Sequence, residues 1–146
     1  MNSLNFGVPI LFGNSGNHTA YAGQGWSSTS DADTTWNDGC VCTLQFRVAA
    51  LRQSAQLVLQ ARPFIVPGQM DKQELTIYLN GLFVTYVRVA EAFTATAMID
   101  RDQLSTRFNT VSFVMPHAAS PQALGLSGDE RKLGLAFVRL EMNSVS

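Results

Sequence analysis

The sequence predicts an all-β fold, an antiparallel β-sandwich or jelly roll with at most one or two short helical turns. Apolar and polar side chains alternate with a period of two through most of the chain from Cys40 to Met142. Turn residues recur at intervals of about ten residues, which is typical of sandwiches and jelly rolls. A chain of 146 residues fits a single domain, 1–146, and buries enough surface to fold without a metal or disulfide.

Alternation predicts strands at 40–48, 56–62, 75–79, 82–88, 93–100, 109–115 and 132–142. Asn80-Gly81 predicts a two-residue type I′ hairpin turn, because both residues tolerate a positive φ. The last strand is apolar on both faces, which predicts a central position in its sheet. Asp100 is a suitable N-cap for a single helical turn.

The N-terminal segment 1–38 differs from the rest of the chain. Residues 13–38 include both tryptophans but few aliphatic residues. Because such a composition cannot form a core, we expect a loop-rich segment packed on the sandwich.

Composition restricts the partners. Charged residues make up 14% and the net charge is −1, which disfavours nucleic acid, since phosphate binding needs clustered Lys and Arg. A polar, uncharged partner such as a carbohydrate is favoured, although a neutral sandwich of any function would look the same. No apolar run is long enough to span a bilayer. No signal peptide is visible, which leaves open cytoplasmic retention, incorporation into a larger particle or surface assembly, or earlier removal of a leader.

The residues that bind metals are few and scattered. Cys40 and Cys42 are the only cysteines, and we expect both to be small apolar residues in the core. His18 and His117 lie far apart without the spacing of a zinc site. The sequence therefore predicts no metal and no cofactor.

Signatures of catalysis are also missing. The sequence contains no GxSxG, GxGxxG or Walker motif. Two acids across a cleft would be needed for glycoside hydrolysis. The candidate acids, which we expect to be solvated loop residues, are Asp31, Asp33, Asp38, Glu74, Glu91 and Asp129. The prediction is a non-enzymatic protein, with an enzyme acting on polysaccharide, or a Ser–His–Asp triad, as residual alternatives.

The loop 21–38 is the predicted ligand-binding surface. Aromatic rings can stack on the apolar faces of sugars, and amides and carboxylates can bond their hydroxyls. The aromatic candidates are Trp26, Trp36 and Tyr21, and the polar candidates are Asn37, Asp38, Asp31 and Gln24. The alternative is that each tryptophan closes one end of the core.

Asp129 and Arg131 stand two residues apart where a turn enters the last strand. A carboxylate there can accept turn N–H groups while the guanidinium bonds back to it. We predict a structural latch that holds the loop 116–131 on the sandwich; a ligand-binding or catalytic pair is the alternative.

Six short motifs, spread over roughly residues 25–142, resemble those of a known protein family. They are Gly25-Trp26, Trp36-x-x-Gly39, Asn80-Gly81, Ser120-Pro121, Leu124-Gly125 and Asp129-x-Arg131-x-Leu133-Gly134. The sequence resembles a β-sandwich module of bacterial surface-polysaccharide proteins that is often fused to glycosyltransferases. Similar modules carry a Glu between the two tryptophans, where this chain has Asp31 and Asp33, and here the module stands alone.

The resemblance implies a non-enzymatic carbohydrate-binding module that recognises a bacterial surface or capsular polysaccharide. The alternative is a structural or receptor-binding spike or decoration subunit of a phage-like particle or surface assembly. Such a subunit would form a homo-oligomer with closed symmetry, so the molar mass in solution would separate the two hypotheses.

Overall fold

The computed structural model describes residues 2–49 and 54–145, which form two antiparallel β-sheets packed face to face. The strands are β1 (Ile10–Leu11), β2 (Thr35–Trp36), β3 (Val41–Phe46), β4 (Ala55–Pro63), β5 (Gln73–Leu79), β6 (Leu82–Val89), β7 (Phe93–Ile99), β8 (Asn109–Val114) and β9 (Leu135–Ser144). One sheet has the order β1-β9-β4-β7, with β2 also pairing with β9, and the other has the order β3-β8-β5-β6. The predicted all-β sandwich is confirmed.

The core lies between the sheets and consists of the alternate residues of each strand. In β5, for example, Leu75, Ile77 and Leu79 are fully buried while the residues between them are partly exposed. Among its fully buried rings are Phe113 and Phe137, whose centroids lie 5.0 Å apart in an edge-to-face arrangement. This alternation leaves an outer side on each sheet that is free to carry polar or aromatic side chains.

The predicted hairpin is present. Asn80 and Gly81 have φ values of 51° and 82°, as a type I′ turn requires. Residues of β5 and β6 pair antiparallel across this turn, with an irregularity in register between Ile77 and Tyr78.

Strand β9 is central, as its apolar character predicts, because it pairs with β4 on one side and with β1 and β2 on the other. It begins at Leu135 and not at the predicted residue 132, since Leu133 forms an isolated bridge to Ala119 instead. Its pairing with β4 contains a bulge: Gln60 is opposite Arg139 and Ala61 is opposite Phe137, so Val138 is the extra residue.

The N-terminal segment contributes more to the sandwich than its composition suggests. β1 and β2 extend the sheet of β9, and Ile10 and Phe12 are fully buried in the core. Gly25 allows close packing against β3, because a Cβ at this position would lie 2.0 Å from the carbonyl oxygen of Val41.

Helical structure in the described residues consists of two 3₁₀ turns, His18–Ala20 and Arg101–Gln103. Asp100 is the N-cap of the second turn, as predicted, and its backbone N–H donates to Oε1 of Gln103 at 2.8 Å. No helix in the described parts of the chain is long and apolar enough to cross a membrane.

The two cysteines differ in environment. Cys42 is fully buried, and this burial raises the pKa of its thiol well above the ordinary value. Cys40 is only partly buried, because it precedes β3 instead of lying within it. The expectation of two core residues is therefore right for Cys42 and wrong for Cys40.

Candidate functional site

Trp26 is packed against the core. Its ring lies 4.8 Å from that of Phe137 and 5.4 Å from that of Phe12, measured between centroids. Its indole N–H donates to the carbonyl oxygen of Thr43 at 2.8 Å. These contacts match the alternative of a residue that closes the core, so we exclude Trp26 from the proposed binding surface.

Trp36 lies on the outer side of the five-stranded sheet. In β2 it follows the buried Thr35, so its side chain points away from the core. It forms a row with Ala136 and Arg62, its partners across the sheet, and its ring meets that of Phe64 edge-on at 6.1 Å. Both tryptophans are partly exposed, but the side chain of Trp36 lies on the outer side of the sheet, where a ligand can reach it.

Asn37 is fully buried and its amide is saturated by hydrogen bonds within the chain. Its Nδ2 donates to the carbonyl oxygens of Gly39 and Lys132 at 2.7 and 3.3 Å. Its Oδ1 accepts the N–H groups of Gly134 and Leu135, both at 2.8 Å. Because an amide has two hydrogens and two lone pairs, no bonding capacity is left for a ligand. The prediction that Asn37 binds ligand is corrected: it fixes the start of β9.

The other loop candidates lie in different settings. Tyr21 is partly buried against the core, and its hydroxyl donates to the carbonyl oxygen of Ser3 at 3.1 Å. Asp38 is exposed, but its Oδ1 accepts the N–H of Lys132 at 3.0 Å. Asp31 and Gln24 are exposed. The structure thus leaves Asp31, Asp38 and Trp36 accessible, while the ring of Trp26 packs on the core.

Asp129 and Arg131 make the contacts expected of a latch. Both carboxylate oxygens of Asp129 accept hydrogen bonds from the guanidinium, with a shortest distance of 2.7 Å between Nη2 and Oδ2. Its Oδ1 also accepts the backbone N–H of Arg131 at 3.0 Å. Arg131 Nη1 donates to Oγ of Ser27 at 2.9 Å, which joins this turn to the N-terminal loop. The side-chain hydrogen bond from Arg131 is the main reason why the pKa of Asp129 lies below its ordinary value.

A second surface, which we call the aromatic face, lies on the outer side of the four-stranded sheet. Its rings are Tyr78 on β5 and Phe83 and Tyr86 on β6. Phe83 is 59% exposed and Tyr86 48% exposed. Tyr78 and Phe83 are cross-strand partners whose centroids lie 6.4 Å apart at 80°. Exposed apolar rings that are grouped on one face are a feature of interaction sites.

Polar groups at one end of the aromatic face form a connected network. The hydroxyl of Tyr86 donates to Oε1 of Glu74 at 2.7 Å, and Nε2 of His117 lies 2.8 Å from Oε2. The hydrogen bond from Tyr86, followed by that from His117, lowers the pKa of Glu74, and the same carboxylate raises the pKa of Tyr86. The network therefore holds an ionised carboxylate and an oriented hydroxyl beside the exposed rings.

Comparison with solved structures identifies the architecture. The C-terminal CBM6 module of a marine laminarinase from Zobellia galactanivorans superposes with a TM-score of 0.52 at 8% sequence identity, over 94% of this chain and 98% of that one. The fold is that of a carbohydrate-binding module. At this identity the similarity establishes the fold alone, and it agrees with the fold that the sequence resemblance implies.

Two enzymes contain a domain of the same shape. A family GH115 4-O-methyl-α-glucuronidase with specificity for decorated arabinogalactans gives a TM-score of 0.55 at 12% identity, over 97% of this chain but 18% of the enzyme. An acetyl xylan esterase from the rumen bacterium Butyrivibrio proteoclasticus gives 0.53 at 11% identity, over 95% of this chain and 34% of the esterase. The chain thus spans only a minor part of either enzyme. No protein-family model matches the sequence, and no curated protein does.

The aromatic face was missed by the sequence reasoning, which placed binding on the loop richest in tryptophan. A signal was present: Tyr78 stands two residues before the Asn80-Gly81 turn, and Phe83 stands two residues after it. In a two-residue hairpin such positions are cross-strand partners on one face. Since Ile77 and Leu79 are apolar and belong to the core, Tyr78 and Phe83 had to lie on the outer side.

Proposed function

We propose that the chain is a non-enzymatic carbohydrate-binding module and that the aromatic face is its main binding surface. The observation that carries the proposal is the exposure of Phe83 and Tyr86 beside the network of Glu74 and His117. Flat rings can pack against the C–H faces of a pyranose, while the carboxylate and imidazole bond its hydroxyls. The shared fold with a CBM6 module supports this proposal.

The ligand we propose is a bacterial surface or capsular polysaccharide. This class follows from the sequence resemblance and from the low charge of the chain, 14% of residues with a net of −1. Among the loop residues predicted from sequence, Trp36, Asp31 and Asp38 remain candidates for further ligand contacts, because their side chains are accessible. A link to glycosyltransferases stays a prediction.

The pKa shifts of two carboxyl groups support a non-enzymatic role. A glycosidase needs a general acid whose pKa is raised. The pKa values of Glu74 and Asp129 are shifted in the opposite direction by the hydrogen bonds they accept. In the described parts of the chain, no three His, Cys, Asp or Glu residues are grouped so as to hold a metal.

The test is a glycan array that includes capsular and surface polysaccharides, followed by calorimetric titration of each ligand found. We expect Phe83→Ala and Tyr86→Ala each to weaken binding at least about fivefold, since truncating an aromatic anchor costs over about 1 kcal/mol. Phe108→Ala is the matched control, because Phe108 is also an exposed phenylalanine, at 50%, but lies outside the aromatic face. Absence of any glycan ligand, or equal loss in all three variants, would contradict the proposal.

A structural subunit is the second candidate, and the edge strand β6 favours it. β6 pairs only with β5 among the described strands, and it exposes Leu82 as well as Phe83. An exposed apolar edge strand can pair with another copy of the chain. Light scattering from low to high micromolar concentration separates the candidates: a monomer whose variants lose glycan supports the module, whereas an oligomer that Phe83→Ala dissociates supports the subunit.

A further inference from the structure

A groove crosses the outer side of the five-stranded sheet, on the opposite side of the sandwich from the aromatic face. Its larger part has a volume of about 400 Å³ and is lined by Asp33, Gln60, Arg62, Ala92, Phe93, Thr94 and Val138. A smaller part of about 240 Å³ continues from Asp33 and Val138 toward β1 and the loop 13–16. The larger part alone is within the size range of small-molecule sites, about 300–1,000 Å³.

The β-bulge in β9 shapes this groove. Val138 is the extra residue between the pairs that Gln60 and Ala61 make with Arg139 and Phe137. It lines both parts of the groove and supplies apolar surface to each. Bulges re-aim side chains and are frequent beside functional sites.

The charged groups of the groove form one pair. Arg62 Nη2 donates to Oδ2 of Asp33 at 2.9 Å, and their side chains are 48% and 67% exposed. This is the one side-chain hydrogen bond that Arg62 and Asp33 make within the described parts of the chain. The remaining N–H groups of Arg62 and the Oδ1 atom of Asp33 can therefore bond a ligand.

From this arrangement we infer that the groove is a second saccharide site, which takes a neutral sugar residue with adjacent hydroxyl groups. One hydroxyl donates to Asp33 while its neighbour accepts from Arg62, and Gln60 and Thr94 offer further polar contacts around the ring. Val138 meets the apolar side of the sugar. Because the carboxylate of Asp33 neutralises the charge of Arg62, the groove has no excess positive charge to attract a uronic acid, and we expect it to favour neutral sugars.

This inference rests on the proposed function for its ligand class but not on the aromatic face. If the groove and the aromatic face bind the same polysaccharide molecule, binding at one surface keeps the polysaccharide at a high effective concentration near the other. The overall avidity then rises without new contacts.

The test uses ¹⁵N-labelled protein titrated with the methyl glycosides of glucose, galactose, mannose and xylose, and with methyl glucuronoside. Amide shifts at Gln60, Arg62, Thr94 and Val138 with at least one neutral glycoside are expected. We expect Arg62→Gln and Thr94→Ala to raise the dissociation constant read from these amides at least about fivefold.

Two matched controls come from the same sheet. Arg139→Gln breaks the exposed ion pair with Glu141, and Thr96→Ala removes the same side chain two residues along β7; neither position lines the groove. Both should leave the dissociation constant within twofold of that of the unmodified protein, and all variants should keep a folded amide spectrum.

The outcomes separate the two proposals. Shifts confined to Phe83, Tyr86 and their neighbours would overturn the groove site and leave the aromatic face standing. Groove shifts without shifts on the aromatic face would support the groove and count against the aromatic face, and no shifts anywhere would overturn both. Tighter binding of the glucuronoside than of every neutral glycoside would overturn the neutral ligand class.

Discussion

At the scale of single residues, Asn37 shows how one buried amide can define a strand. Its Oδ1 accepts from both Gly134 and Leu135, the residues at which β9 begins. Its Nδ2 bonds the carbonyl oxygens of Gly39 and Lys132. Together these bonds join two segments that lie about a hundred residues apart in sequence and give the backbone N–H groups of Gly134 and Leu135 an acceptor.

Replacing Asn37 with Ala should therefore lower the free energy of unfolding by about 3 kcal/mol, because buried N–H and C=O groups lose their partners. Urea unfolding monitored by tryptophan fluorescence measures this change. Asn143→Ala is the control: Asn143 lies on the outer side of β9 and makes no side-chain hydrogen bond in the described parts of the chain. If Asn37→Ala lowered the free energy of unfolding no more than Asn143→Ala, the role of Asn37 in fixing the start of β9 would be contradicted.

The latch makes stability depend on pH in a defined direction. The pKa of Asp129 is lowered in the folded chain, first by the side-chain hydrogen bond from Arg131. The contribution of the Asp129 carboxylate to the free energy of unfolding is therefore fully present above the pKa of about 4 that the group has in the unfolded chain. It is lost as the pH falls through the lower pKa of the folded chain. The melting temperature of the protein should exceed that of Asp129→Asn by a constant amount from pH 7 to about 5, and the gap should shrink below about pH 4.

The comparison with Asp129→Asn is needed because Glu74, whose pKa is also lowered, titrates over a similar range. Glu74 is present in both proteins, so its effect cancels in the difference. A gap that stays constant down to pH 2 would show that the carboxylate charge of Asp129 does not stabilise the fold.

Residue roles were the part of the molecule least accessible from sequence. The interpretation of Asp129 and Arg131 came from their spacing and matches contacts in the structure. The roles of Asn37 and Trp26 depend on Lys132, Gly134 and Phe137, which are distant in sequence. Composition of a loop cannot distinguish a ring that stacks on a sugar from one that stacks on the core.

At the scale of elements, the hairpin β5–β6 positions the aromatic face. The turn places Tyr78 opposite Phe83, and this requires Gly81 to keep a φ of 82°. Gly81→Ala should cost about 1–2 kcal/mol of stability, because a Cβ disfavours the left-handed region. Gly128→Ala is the control. A Cβ would meet no neighbouring atom at either glycine, but Gly128, unlike Gly81, does not have a left-handed backbone conformation. Equal stability of the two variants would contradict a left-handed Gly81.

Strands were predictable where alternation was strict, and their predicted ends differ from the observed ones by at most three residues. β1 and β2 were missed because each has two residues and no periodic pattern can be read from so short a segment. Both exist because β9 offers a free edge to which Ile10 and Thr35 can pair. Their formation is a tertiary effect.

At the scale of the whole molecule, the sandwich presents two broad outer surfaces with different chemistry. One carries the exposed rings of Phe83 and Tyr86. The other carries the groove with Asp33 and Arg62. Periodicity predicted that each sheet has an outer side, but not which residues on it would cluster, because neighbours across a sheet depend on strand order.

The central position of β9 has a consequence for the order of events during biosynthesis. β1, β2 and β4 all use β9 as a partner, yet residues 135–144 leave the ribosome after the eight other strands of the described residues. At about 5–20 residues per second, β1 waits several seconds for its partner. During this interval the nascent chain exposes unpaired strand edges, which are templates for aggregation. A chain cut short before residue 135 would keep those edges permanently, so its yield in expression depends on translation reaching the end of β9.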